Sequence, residues 1–231
     1  MADQSQRNAA RVVAITYPLT LIVSIVAFFR LYVPLLVAND HAATAQNLAR
    51  HEGSVRVYLA AVLIYGIGVV VVPTALYVVL RTVNRGVATF GAVCRLLYAV
   101  MWFVQLLDLL AALRIARGDG YLQLLGPEGL RAMAGLRLAA GWDAYYVGLG
   151  FYGLGTVAFA WLWFKSGYVP RPLAAWGVAA SVFAGVCGFA YLLFPSFGEV
   201  VSVDWYEMPI ALFEMGISVW ILVKGLQLKS P

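Results

Sequence analysis

VYLAAVLIYGIGVVVVPTALYVVL, residues 57–80, runs for 24 residues without one charged side chain between Arg56 and Arg81. At ~1.5 Å of rise per residue, a helix of that length is about 36 Å long, enough to cross the ~30 Å hydrocarbon core of a bilayer. Working outward, five further windows have the same character. Residues 12–38 are interrupted by Arg30, residues 86–113 by Arg95 and Asp108, and residues 138–164 by Asp143. Residues 172–198 carry no charge, and residues 208–224 contain Glu214 and close on Lys224. The whole chain is 63% hydrophobic and 12% charged, with mean hydropathy +0.84, against roughly 45–50% and about 25% in a soluble domain. The reading is an all-α polytopic membrane helix bundle with six transmembrane helices, a single domain over residues 1–231. A water-soluble fold, a disordered chain, collagen, a coiled coil and a disulfide-stapled secreted domain are excluded by composition. Cys94 and Cys187 both sit inside apolar runs and read as reduced core residues.

The first span is too long for a signal-peptide core and is followed by no small-residue cleavage pattern, so it is expected to remain as a helix. Six spans place both termini on one side. That side carries Arg7, Arg11, Arg81, Arg85, Lys165, Arg171, Lys224 and Lys229, and the other carries Arg50, Arg56, Arg114, Arg117, Arg131 and Arg137. Because cytoplasmic loops are richer in Lys and Arg, both termini are expected to be cytoplasmic. The net charge of +5 and pI near 9.3 then describe a basic face beside anionic membrane lipids. No basic stripe is interleaved with aromatic residues, so nucleic acid is not an expected partner. Trp142, Tyr145, Tyr146, Trp205 and Tyr206 would anchor one interface, and Trp161, Trp163, Tyr168 and Trp176 the other. In the loops, Asn39-Asp40 is expected to cap a short helix through Arg50 that Gly53 ends. Gly126-Pro127-Glu128 is expected to start a helix that feeds into span four.

Several patches occur in an order that resembles an uncharacterised family of small bacterial six-helix membrane proteins, catalogued as a domain of unknown function. They are Asn39-Asp40-His41-Ala42-Ala43-Thr44-Ala45-Gln46-Asn47, Val83-Asn84-Arg85-Gly86, Ser166-Gly167-Tyr168-Val169-Pro170-Arg171 and Glu214. The resemblance implies six spans and a bacterial cytoplasmic (inner) membrane, and it supplies no reaction. Where the family tends to place a histidine before the aspartate of span four, this sequence has Trp142 before Asp143.

An ionisable side chain at bilayer depth costs about 2.5–3.5 kcal/mol on insertion scales, so each one is a candidate for function. Arg95 is read as snorkelling to the interface on its long stem. Counted inward at ~1.5 Å per residue, Asp108 lies about 9 Å below Arg114, Asp143 about 9 Å below Arg137 and Glu214 about 8 Å below Pro209. Arg30 lies about 13 Å below the outer edge of span one on the same count. Residues three, four and seven apart share a helix face, which puts Tyr98, Gln105 and Asp108 on one stripe, Asp143, Tyr146 and Gly150 on another, and Tyr58 with Tyr65 on a third. If these stripes face inward, they wall an outer-leaflet pocket.

Three readings follow. The first is an integral membrane protein that binds a lipophilic small molecule in that pocket, through Arg30, Tyr58, Tyr65, Tyr98, Gln105, Tyr146 and Gly150. In its catalytic version Asp143 and Glu214 divide the acid and base roles, Asp108 tunes them and Arg30 holds one ionised. The second is a proton-coupled transporter using the same acids. The third is a non-catalytic structural or accessory membrane subunit whose charges fix how its helices meet. No cofactor and no metal is expected: His41 and His51 are the only histidines, both in an outer loop, and no lysine lies inside a span. Gly148-Leu149-Gly150-Phe151-Tyr152-Gly153 spells a dinucleotide pattern without the strand that pattern needs. Gly141, Gly148 and Gly155, seven apart, would let span four approach a neighbour closely.

Overall fold

The computed structural model describes residues 2–38, 40–118, 120–194, 196–202 and 204–227; Asn39 and Lys229 lie outside the described residues. All regular structure among them is helical. In chain order these are α1 (Ala2–Ala27), which continues through a π-helical turn (Phe28–Tyr32) and a 3-10 turn (Val33–Leu35), α2 (His41–Arg50), α3 (Glu52–Leu80) and α4 (Arg85–Arg117). After a 3-10 segment (Gly120–Leu125) come α5 (Gly126–Ser166), α6 (Arg171–Leu193), the single turn α7 (Phe197–Val200) and α8 (Asp204–Lys224). Six stretches are long and apolar enough to cross a membrane: Gln4–Leu35, Glu52–Leu80, Arg85–Arg117, Gly120–Ser166, Arg171–Leu193 and Trp205–Lys224. Large apolar side chains such as Leu19, Ile67, Leu107, Val186 and Leu212 point out of these helices, a surface that water penalises and lipid does not. The chain is a multi-pass, all-helical membrane protein.

Helix ends follow the local chemistry. The first span stops at Leu35 rather than at residue 38, because Pro34 has no N–H to donate and its ring opposes the carbonyl one turn back. The α-helical pitch gives way there to the wider π turn and then the 3-10 turn. The fifth span ends at Leu193 rather than at residue 198. Phe194 is extended (φ −123°, ψ 101°), the conformation favoured before a proline, here Pro195. Asp40 caps α2, its Oδ1 accepting from Ala43 N at 2.8 Å. α2 ends at Arg50 without the glycine stop expected at Gly53; His51 N bonds to the carbonyls of Asn47 and Leu48, and Gly53 already belongs to α3. Gly126 (φ +65°) makes the turn that admits Pro127 to the start of α5, and α5 runs unbroken into the fourth span as expected. Gly167 (φ +67°) closes it, donating to Trp163 O.

The chain forms two compact units, one of Met1–Thr20, Ile67–Val100 and Tyr146–Pro231, the other of Leu21–Gly66 and Met101–Tyr145. The first has a core of small and aromatic side chains including Val13, Val79, Phe159, Trp163, Phe213 and Ile217. Its helices approach closely where glycines leave room: a Cβ on Gly153 would lie 2.7 Å from Gly185 Cα, so α5 and α6 meet backbone to backbone. Gly155 abuts the α4 backbone at Gly91 in the same way. The second unit has its own core, with Tyr32, Leu48, Val55, Leu59, Ala112 and Leu138, and α2 lies against α5 where Gly135 faces Ala42.

Candidate functional site

The most heavily bonded polar cluster among the described residues lies in the first unit and is built on four of the spanning helices. α4 carries Arg95, α8 carries Glu214, α1 carries Tyr17, and α5 presents Tyr152 and Thr156, one turn apart on the same face. Arg95 is 1% exposed and Glu214 5%. Two charges so far from water persist only when paired and hydrogen-bonded, and here both conditions are met. Arg95 Nη1 donates to Glu214 Oε1 at 2.9 Å and to Thr156 Oγ1 at 2.7 Å, while Nη2 donates to Tyr17 OH at 2.9 Å. The phenols of Tyr17 and Tyr152 each donate to the same Glu214 Oε1 at 2.6 Å. Thr156 Oγ1 in turn donates to Tyr152 O at 2.8 Å. The Tyr152 ring lies 4.0 Å from the guanidinium carbon, a cation–π contact in a desolvated setting, and Tyr98 meets Tyr152 edge-on at 4.7 Å.

One carboxylate oxygen thus takes three hydrogen bonds and the other, Oε2, takes none from the described residues. Arg95 Nε is likewise buried without a partner among them. Glu214, Tyr17 and Thr156 border a small cavity of about 10 Å3 closed by Phe159, Trp163 and Phe213. That is room for about one water molecule. Chemically, the arrangement can hold helices together and can accept a proton or a water, but it has no space for an organic ligand.

The residues singled out in the sequence fall into separate settings. Glu214 is in the Arg95 cluster with Tyr98 close by. Asp108 belongs to the second unit and pairs with Arg137, Nη1 to Oδ1 at 3.2 Å, with the arginine side chain 54% exposed. Asp143 is exposed, and so is Arg30, which stands on the π turn. Tyr58 stacks on Tyr32 at 4.7 Å with Phe28 alongside, and Tyr65 tilts against Trp102 at 4.8 Å. Gln105 is half-buried beside Gly141. In the first unit Tyr146 stacks on Tyr191 at 3.5 Å, and Gly150 has open space where a Cβ would stand.

Arg95 is a correction: it does not snorkel but is among the most deeply buried side chains of the protein. The sequence also gave no prominence to Tyr17, Tyr152 or Thr156. A usable signal was present, since Arg95 lies ten residues from Arg85, Glu214 ten from Lys224 and Tyr17 ten from Arg7, all about 15 Å from the same basic end. Counting Glu214 from Pro209 instead grouped it with Asp108 and Asp143.

A six-span helical protein with an arginine–glutamate pair sealed inside its bundle is the class that fold and site define. Residues 12–225 match the family described as Domain of unknown function (DUF4386), and the chain belongs to that family. No curated protein and no solved structure matches it.

Proposed function

We propose that this chain is a non-catalytic structural or accessory protein of the bacterial cytoplasmic membrane, with both termini cytoplasmic, whose intramembrane charges serve to lock its helices. The observation that supports this reading is the saturation of Glu214 Oε1 by donors from three other spanning helices around a hole no larger than a water. Removing one member of a buried pair strands the other and costs about 3–5 kcal/mol, whereas replacing both with apolar side chains is often neutral. Thermal melting of detergent-purified protein should therefore show Arg95→Met and Glu214→Gln each melting well below wild type, and Arg95→Met/Glu214→Leu recovering most of the loss. Single variants that melt like wild type but lose a pH-gradient-driven flux would replace this reading with a proton-coupled transporter.

A second reading, binding of a lipophilic small molecule among membrane lipids, is favoured by the stacked pair Tyr32 and Tyr58 in the second unit. Both residues are buried, with the Phe28 ring alongside. Two phenols in an aromatic wall would suit a carbonyl-bearing ligand. Organic extraction of wild type and of Tyr58→Phe separates the readings: a non-phospholipid compound present in the first and depleted in the second supports the ligand, and bulk phospholipid alone in both supports the lock.

A further inference from the structure

α3 and α4 are joined by the tight turn of residues 81–84, with an arginine at each end of it and Tyr77 one turn before it. The Arg81 guanidinium lies over the Tyr77 ring, 5.9 Å from its centre. Arg85 opens the other helix directly after the turn, and Thr89 Oγ1, one turn on, donates to Arg85 O at 2.9 Å. The turn beneath them is fixed: Gln6 Nε2 donates to Val79 O at 3.0 Å and to Thr82 Oγ1 at 2.7 Å, and Asn84 Oδ1 accepts from Val87 N at 3.0 Å. Both arginines are exposed, and neither pairs with a carboxylate among the described residues. Arg11, inside α1, and Lys165, Arg171 and Lys224, at other helix ends of the same unit, are exposed and have no such partner among the described residues either.

Two spanning helices end at this turn, so its cations stand at the depth of lipid headgroups. A planar guanidinium matches the oxygens of a phosphate through paired N–H donors, and two of them at the two ends of one tight turn present a charge of +2 together. We propose that the Arg81–Tyr77–Arg85 face binds the phosphate of an anionic phospholipid headgroup. The ring keeps Arg81 upright, and Arg85, at the start of α4, supplies the second guanidinium. A zwitterionic lipid brings its own ammonium or choline cation to the same place and is disfavoured by like-charge repulsion.

Native mass spectrometry of delipidated protein titrated with phosphatidylglycerol or phosphatidylcholine tests this. Wild type should retain phosphatidylglycerol preferentially, and Arg81→Gln/Arg85→Gln should lower its occupancy several-fold, while Arg11→Gln/Lys224→Gln leaves more of it bound. Because the substituted side chains are exposed, melting in lipid-free detergent should be unchanged. Equal occupancy in wild type and Arg81→Gln/Arg85→Gln, or equal retention of phosphatidylcholine, would overturn the proposal. Displacement of the lipid by millimolar inorganic phosphate would also overturn it, marking a free-phosphate site in its place.

Discussion

At the scale of single residues, the two tyrosines that donate to Glu214 are not equivalent. Tyr152 gives one hydrogen bond to the carboxylate, whereas Tyr17 gives one and also accepts from Arg95 Nη2. Hydrogen bonds to charged groups contribute about 1.5–3 kcal/mol, and a stranded buried donor adds a further penalty. Tyr152→Phe is expected to destabilise the protein by about that amount, and Tyr17→Phe by more, because it leaves a guanidinium N–H unmet. Thermal melting in detergent reads the order directly, and a reversed order would mean that Arg95 finds another acceptor. The residue types of this cluster were legible in the sequence, but their meeting was not. A depth count places Arg95 and Glu214 at one level only when both are measured from the basic ends, and it says nothing about which helices are neighbours. Asp108 and Asp143 show the limit, for both are charged and both near an expected boundary, yet Asp108 is buried against Arg137 and Asp143 is exposed.

At the scale of elements, the local code was read more fully. The Asp40 cap, the proline entry of α5 and all six spans are set by short-range chemistry, so sequence alone carried them. The early end of the first span at Pro34 and of the fifth at Phe194 was missed by counting apolar residues, since hydropathy is blind to a missing N–H. Glycines of α5 make a further contrast. Gly153 is pressed on Gly185, but Gly150, less than a turn away, faces open space. Gly153→Ala should cost about 1–3 kcal/mol by forcing α5 and α6 apart. Gly150→Ala should be neutral or stabilise by up to about 1 kcal/mol through helix propensity. Melting curves of the two variants check this, and equal effects would mean that the α5–α6 contact is looser than described.

At the scale of the whole molecule, the excess of Lys and Arg on the side of the termini predicts an N-in, C-in orientation in the membrane. Alkaline phosphatase fused after residue 227 should be inactive and a fluorescent protein at the same point bright; the opposite pair of results would invert the topology. The Arg95–Glu214 link has one more consequence, in time rather than space. Its partners are 119 residues apart in the chain. At about 5–20 residues per second of synthesis, the guanidinium enters the bilayer roughly 6–24 s before its carboxylate exists. Through that interval the nascent chain holds an unmatched positive charge among its first helices, and only the arrival of α8 neutralises it. α8 thus completes a pair that α4 opens 119 residues earlier, and a chain that stalls between the two keeps an unmatched guanidinium at bilayer depth.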